Sequence, residues 1–346
     1  MIFIELIFGS VLNAVLFFTF IFIINSAGVF IYRKIAISLE ILAYPNSRTL
    51  HEFSIPRGGG VVFSSIFVIV VFVLWYIDVL SEELLLILGF GAAGAALFGF
   101  IDDVYNIRAI RKLFIQIFLS IWMLYWLEGG ALLHDLGLLG IITIPLFMFF
   151  IVWMINAYNF MDGIDGMAVS GAFYITGTLT FIMLITNGSS ELAVLFILLM
   201  ASVGAFMLFN WPPASIFMGD SGSIFLGYLF GSFILITIAR NELSIWTWLI
   251  IFGYFFADTT VTQIARLILV KKYYKAHRSH AYQNLARITG SHLKVTGGVT
   301  AYHIIWLLPL SLWTVLQPDM EIVAAFLAII PALAIAYKYG PVLSSS

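Results

Sequence analysis

Long apolar runs, separated by short polar stretches and repeated along the whole chain, set the tightest limit on what this sequence can become. A helix needs about 17 to 25 apolar residues to cross the hydrocarbon core of a bilayer. Eleven such runs can be read, near residues 7–31, 60–77, 84–101, 113–128, 139–158, 167–186, 192–210, 223–239, 246–269, 298–316 and 321–337. Backbone polar groups in hydrocarbon must be satisfied internally, which makes each run a helix. Soluble chains carry about a quarter charged residues; here the charged share is 10%, against 62% hydrophobic. The expectation is an all-α polytopic membrane protein with about eleven transmembrane helices, forming a single integral-membrane domain over residues 1–346. Cys is absent, which excludes disulfides and thiolate metal sites. Glu5 stands where a cleavable leader would need a basic stretch, so the first run is expected to be a retained span.

The connecting segments form two alternating sets. One is short: 78–83, 129–138, 187–191, 240–245 and 317–320. The other comprises loops 32–59, 102–112, 159–166, 211–222 and 270–297. Of the 16 Lys and Arg residues, all but Arg240 fall with the second set or the C-terminal end. The positive-inside rule then makes the second set cytoplasmic, with the N-terminus outside and the C-terminus inside. Small residues in Gly89-Phe-Gly-Ala-Ala-Gly-Ala-Ala point to close helix packing in the third run.

Asn156 to Ala168, read Asn-Ala-Tyr-Asn-Phe-Met-Asp-Gly-Ile-Asp-Gly-Met-Ala, places two amides and two carboxylates between apolar runs. Ionisable groups at membrane depth are costly and usually functional. The helix is expected to end near Asp162, with Asn159 and Asp162 on one face and Asp165 brought round by the Gly163 turn. An Asp-Gly-rich turn without chemistry is the alternative reading.

Asp102-Asp103, Asp162, Asp165 and Asp220 share the basic face, and Asp258 lies within the ninth run. Loops 159–166 and 211–222 contain no Lys or Arg. Gathered carboxylates repel one another unless a cation sits among them, and hard oxygen donors suit Mg²⁺ or Mn²⁺. Asp102 and Asp103 point about 100° apart on a helix, which suggests separate tasks. Arg108, Arg111 and Lys112 could instead simply balance the pair. In Phe217-Met-Gly-Asp-Ser-Gly-Ser223, glycines at a helix start expose N–H groups to phosphate, although Asp220 could serve only as the N-cap. His277-Arg278-Ser279-His280 fits a phosphate clamp, whereas Lys271 and Lys272 fit membrane anchoring. Asp258 and Arg266 could form a structural ion pair.

Five ordered stretches carry a resemblance. They are Pro45-Asn-Ser-Arg-Thr-Leu-His51 with Pro56-Arg-Gly-Gly-Gly60, Phe100-Ile-Asp-Asp-Val104, Asn156 to Ala168, Phe209-Asn-Trp-Pro-Pro-Ala214 with Gly219-Asp-Ser-Gly-Ser223, and His277–His280. Nearly the whole chain resembles the polyprenyl-phosphate N-acetylhexosamine-1-phosphate transferases, the glycosyltransferase family 4 proteins that include MraY and WecA. The resemblance implies an enzyme of the bacterial plasma (inner) membrane with a cytoplasmic Mg²⁺ site. Such an enzyme moves a sugar 1-phosphate from a UDP-N-acetylhexosamine to polyprenyl phosphate and releases UMP. By motif, Asp102 and Asp103 resemble the family's catalytic pair, and Asp220 its principal Mg²⁺ ligand. Asn159, Asp162 and Asp165 look like the nucleotide and metal-proximal set. His277, Arg278 and His280 look like the pyrophosphate cluster, with His51 and Arg57 on a substrate-facing loop. The implied partners are the two substrates and the bilayer, with no nucleic acid, and the resemblance is compatible with a homodimer. His-Arg-Ser-His departs from the triple-His run of the muramyl-pentapeptide branch and looks more like the branch that initiates O-antigen and related polysaccharides. Asn106 stands where many relatives carry a third acid.

An ion- or proton-coupled transporter is the main rival, and it requires acids near the bilayer midplane. A CDP-alcohol phosphotransferase would need a further acid pair downstream of Asp165, yet the next acid is Glu191, on the other side.

Overall fold

The structure is a computed structural model and describes residues 11–43, 54–127, 137–269 and 278–341. Helix α1 (Val11–Ser38) is followed by a two-stranded antiparallel pair, β1 (Leu42–Ala43) with β2 (Ile55–Pro56). Then come α2 (Gly60–Tyr76), α3 (Glu82–Tyr105), α4 (Ala109–Trp126), α5 (Gly137–Phe160), α6 (Met167–Thr186) and α7 (Ser190–Asn210). Helices α8 (Asp220–Ala239), α9 (Ile245–Ile251), α10 (Gly253–Leu269), α11 (Ala281–Thr289), α12 (His292–Leu316) and α13 (Glu321–Tyr339) complete the chain. Over the described residues, all eleven apolar runs are helical for most of their length.

Among the described residues, nine helices are long and apolar enough to cross a membrane, and α2 falls just short at 17 residues. The run at 246–269, expected as one helix, breaks at Phe252 into α9 and α10, inclined at 84° to each other. Apolar residues lie on both sides of the break and no proline marks it, so hydropathy has nothing to register. This is a polytopic membrane fold.

Helix α8 is the central rod, with 89% of its apolar window buried inside the protein. It packs against α3, α5 and α2. The small residues of α3 make that approach possible: Ala92 and Ala95 are fully buried, and Tyr228 of α8 donates to the Ile87 carbonyl at 3.1 Å. Gly99 lies against the start of α8, where an added Cβ would stand 2.2 Å from the Asp220 carbonyl oxygen. Outer helices show the opposite pattern. Leu16, Phe20, Ile23 and Ile31 of α1 are exposed, as a hydrocarbon-facing surface requires.

The two ends of α8 differ in chemistry. After its last turn, Arg240 pairs with Glu83 at 3.0 Å and Glu191 at 3.3 Å, joining the first turns of α3 and α7. Glu191 also accepts the Ser81 N–H and Glu242 the Ser189 N–H, and burial holds Glu242 above the usual carboxylate range. The acidic motifs gather at the other end, about 30 Å away at 1.5 Å per residue.

Candidate active site

Helix α5 ends at Phe160, two residues before the expected boundary, and the chain turns through 161–166 before α6 begins. Gly166 makes this turn with φ of 74°, a backbone conformation that glycine adopts without strain. The loop is fastened on three sides. Asp165 Oδ2 accepts the Ala214 N–H at 3.0 Å, and its main-chain oxygen accepts the Thr296 hydroxyl at 2.7 Å. Asn210 accepts the Gly166 N–H and donates to Ile216, so one buried amide binds both the Asp162 loop and the segment leading to α8. Tyr282 of α11 donates to the Phe160 carbonyl at 2.5 Å.

Asp220 is the first residue of α8, and the Gly219 before it offers no side-chain cap. Asp103 supplies the cap from α3: its two carboxylate oxygens accept the N–H groups of Asp220 and Ser221, each at 3.0 Å. A carboxylate is favoured there by the partial positive charge of a helix start. The Asp220 side chain is thereby released from capping. Its Oδ1 accepts from Asn159 Nδ2 at 2.9 Å, and Asn159 also donates to Ser223 Oγ at 2.8 Å. Lys112 Nζ stands 3.3 Å from Asp220 Oδ2 and also pairs with buried Asp102. Asp102 in turn accepts the Ile107 N–H at 2.7 Å.

Arg57 reaches the same end through backbone pairing. Phe217 N–H donates to Pro56 and Gly60 N–H to Met218, both at 2.8 Å, which zips residues 56–60 against the loop before α8. The Arg57 guanidinium donates to the Asp103 main-chain oxygen.

A cavity of about 300 Å³ opens between these elements, and Arg57, Asp103, Asp162, Asp165, Asp220, Arg278 and His292 are among its lining residues. His292 Nδ1 lies 3.2 Å from Asp165 Oδ1. Burial raises Asp162 well above the usual carboxylate range, and the negative charges of Asp220, Asp103 and Asp165 add to the shift. A larger apolar groove of about 540 Å³, lined by Phe147, Trp153, Ile234 and Ile238, lies towards the other end of α8 and carries no reactive group.

Several sequence-derived residues therefore come together: Asn159, Asp162, Asp165, Asp220, Asp103, Arg57 and Arg278, with Asp102 one step away through Lys112. His280 does not join them. It is buried, with Nδ1 3.2 Å from Asp258 Oδ1, so the expected His-Arg-His clamp is divided and only Arg278 of its described residues lines the cavity. His277 and His51 lie outside the described residues. Asp258 accepts the N–H groups of Ala281 and Tyr282, each at 3.0 Å.

Sequence reasoning did not assign Asn210 or His292 to the site, and gave Lys112 only a balancing charge. Asn210 sits inside a recognised stretch, but its bridging role depends on residues 44 positions back along the chain.

Among the described residues no three His, Asp or Glu side chains form a closed metal cage. Mg²⁺ does not need one, since it keeps waters and takes one or two carboxylates together with substrate phosphates. The carboxylate oxygens that line the cavity and the mutual repulsion felt at Asp162 fit such a cation.

A family model described as glycosyl transferase family 4 matches residues 85–238. A Bacillus subtilis (strain 168) protein described as a probable undecaprenyl-phosphate N-acetylglucosaminyl 1-phosphate transferase is 30% identical over 269 residues, 76% of this chain and 74% of its own. A phospho-N-acetylmuramoyl-pentapeptide-transferase of Fervidobacterium nodosum is 34% identical over 212 residues, covering 57% of this chain and 63% of its own. Another with that description, from Borreliella afzelii, is 31% identical over 262 residues, covering 66% and 72%.

Proposed function

Because the chain belongs to glycosyl transferase family 4, we propose that it transfers an N-acetylhexosamine 1-phosphate from a UDP-sugar to polyprenyl phosphate, releasing UMP. The convergence of Asp103, Asp162, Asp165 and Asp220 with Arg57 and Arg278 on one cavity, at one end of the central helix, carries this reading. The lone Arg240 at the other end, against all remaining Lys and Arg, supports a cytoplasmic cavity and a plasma-membrane enzyme. A UDP-sugar would then enter from the cytosol and the lipid phosphate from the inner leaflet.

In this reading an oxygen of the lipid phosphate attacks the sugar-linked phosphorus of the donor. The bond from that phosphorus to the bridging oxygen breaks, and UMP leaves with the electron pair. Such a displacement needs in-line placement and charge neutralisation. Arg278 and Arg57 offer planar donors to the pyrophosphate. Lys112, between Asp102 and Asp220, holds a third cation at the cavity's edge, where an acceptor phosphate would arrive. Asp103 fixes the first turn of α8 and so the direction of Asp220. Mg²⁺ (or Mn²⁺) would be held by Asp220 with Asp162 beside it, and supplies neutralisation of the phosphate oxygens. A phosphate monoester is largely ionised at neutral pH, with a second pKa of about 6, so the acceptor needs orientation more than deprotonation.

An ion-coupled carrier is a poorer fit. Asp258, midway along its run, is occupied with backbone N–H groups, and Asp103, Asp162, Asp165 and Asp220 gather at one end of the bundle.

The test is transfer of radiolabel from a panel of UDP-sugars to undecaprenyl phosphate by purified protein with MgCl₂. Absence of lipid-linked product with every donor sinks the reading. A phospho-enzyme formed without acceptor would replace single displacement with a two-step route.

A further inference from the structure

Asp258 is fully buried in α10, 22 residues before His280, and the reaction scheme gives it no part. Four donors nevertheless converge on its carboxylate. Oδ1 receives the Ala281 N–H at 3.0 Å, the Thr262 hydroxyl at 3.1 Å and a contact from His280 Nδ1 at 3.2 Å; Oδ2 receives the Tyr282 N–H at 3.0 Å. His280, the residue at the N-cap of α11, makes no side-chain cap of its own. Asp258 caps that helix from outside, as Asp103 caps α8.

What the cap holds is part of the cavity. Arg278, a lining residue, lies two positions before His280, and buried Ser279 leaves little slack between them. Tyr282 sits in the capped turn and donates to the Phe160 carbonyl. Its hydroxyl also lies so close to Gly163 that an added Cβ there would stand 2.2 Å away. The Asp162 loop therefore rests directly on the first turn of α11. The opposite wall, with Asp220 and Asp103, is built on α8 and α3 and shares none of these contacts.

We infer that Asp258 is a positioning residue for the donor nucleotide: by fixing the first turn of α11 it sets Arg278 and the Asp162 loop without itself touching substrate. This rests on the transferase reading above. A carboxylate is required because two adjacent N–H groups need one oxygen each. An amide has a single oxygen and would turn its own N–H₂ towards one of them, leaving a buried donor unsatisfied.

The experiment compares wild type, Asp258→Asn and Tyr282→Phe as full-length protein in detergent. It measures KM for the UDP-sugar and for undecaprenyl phosphate, UMP binding by calorimetry with MgCl₂, and melting temperature. Asp258→Asn is expected to raise donor KM and UMP Kd about tenfold or more while acceptor KM changes less than about twofold. Tyr282→Phe keeps the cap and should give a smaller rise in the same direction. If Asp258→Asn does not fold, Thr262→Val removes one hydroxyl that orients the carboxylate and should raise donor KM about two- to threefold. Unchanged donor KM and UMP affinity in the variants, against a wild type that binds UMP, overturns this inference alone. A loss shared equally by both substrates and accompanied by a lower melting temperature also overturns it, since that is general destabilisation. A wild type that neither binds UMP nor transfers sugar phosphate overturns it together with the transferase reading.

Discussion

Asp103 and Asp220 meet across 117 positions of sequence, and the meeting is between the carboxylate of the first and the backbone N–H of the second, 3.0 Å apart. The two acids thus do different things: one closes a helix end, which leaves the other free to face the cavity. Asp103→Asn keeps one oxygen for two N–H groups and should loosen the first turn of α8. The expected result is a lower melting temperature and about a tenfold fall in kcat, with the pH–rate profile unchanged in shape. A displaced acidic limb in that profile would make Asp103 a proton-transfer group instead.

Asp220→Asn changes the charge facing the cavity but leaves the Asp103 cap intact. Transfer of labelled sugar phosphate should drop by about a hundredfold or more. The melting temperature should stay close to wild type. Substantial turnover by this variant would remove Asp220 from the proposed metal site.

Asp162 carries the pH prediction. Its raised pKa means that the folded chain holds this proton more tightly than the unfolded chain does. From the ordinary carboxylate value of about 4 up to the raised one, stability therefore declines as pH rises, by at most about 1.4 kcal/mol per unit. A divalent cation beside the group favours its ionised form and opposes the decline. Melting temperature measured in EDTA should fall with increasing pH, and the increment produced by Mg²⁺ should grow. An increment independent of pH would place Asp162 beyond the reach of the metal.

Gly99→Ala tests how closely the acid-bearing helix end is seated. A methyl group 2.2 Å from the Asp220 carbonyl must push α3 and α8 apart. Overpacking of this kind costs about 1–3 kcal/mol. Thermal stability and transfer should fall together, and addition of substrate should not restore kcat. Wild-type behaviour would mean that the two helices separate without consequence.

The helices were legible because each apolar run is long and its identity does not depend on its neighbours. The meeting of Asp162, Asp165 and Asp220 was legible as well, because like charges without local counter-ions imply a shared surface. Partnerships between distant residues were hidden. Nothing near Asp103 announces that its oxygens belong to a helix starting at Asp220, and nothing near Asp258 points to Ala281 and Tyr282. The partner of His280 was hidden for the same reason: the Asp258 carboxylate that it meets lies 22 residues back along the chain. The break at Phe252 escaped notice because hydropathy reports burial and not direction.

The encased rod that begins at Asp220 implies an uneven tolerance of change around the cavity. Neighbours grip α8 along its length, and only its first turn meets the opening. A substitution there disturbs many contacts at once. On the facing rim Arg57, Arg278 and His292 are only partly covered, so a change beside them disturbs fewer packing contacts. New sugar preferences should therefore arise beside that rim with its two arginines kept, and a screen for altered donor choice should spare both the arginines and the rod.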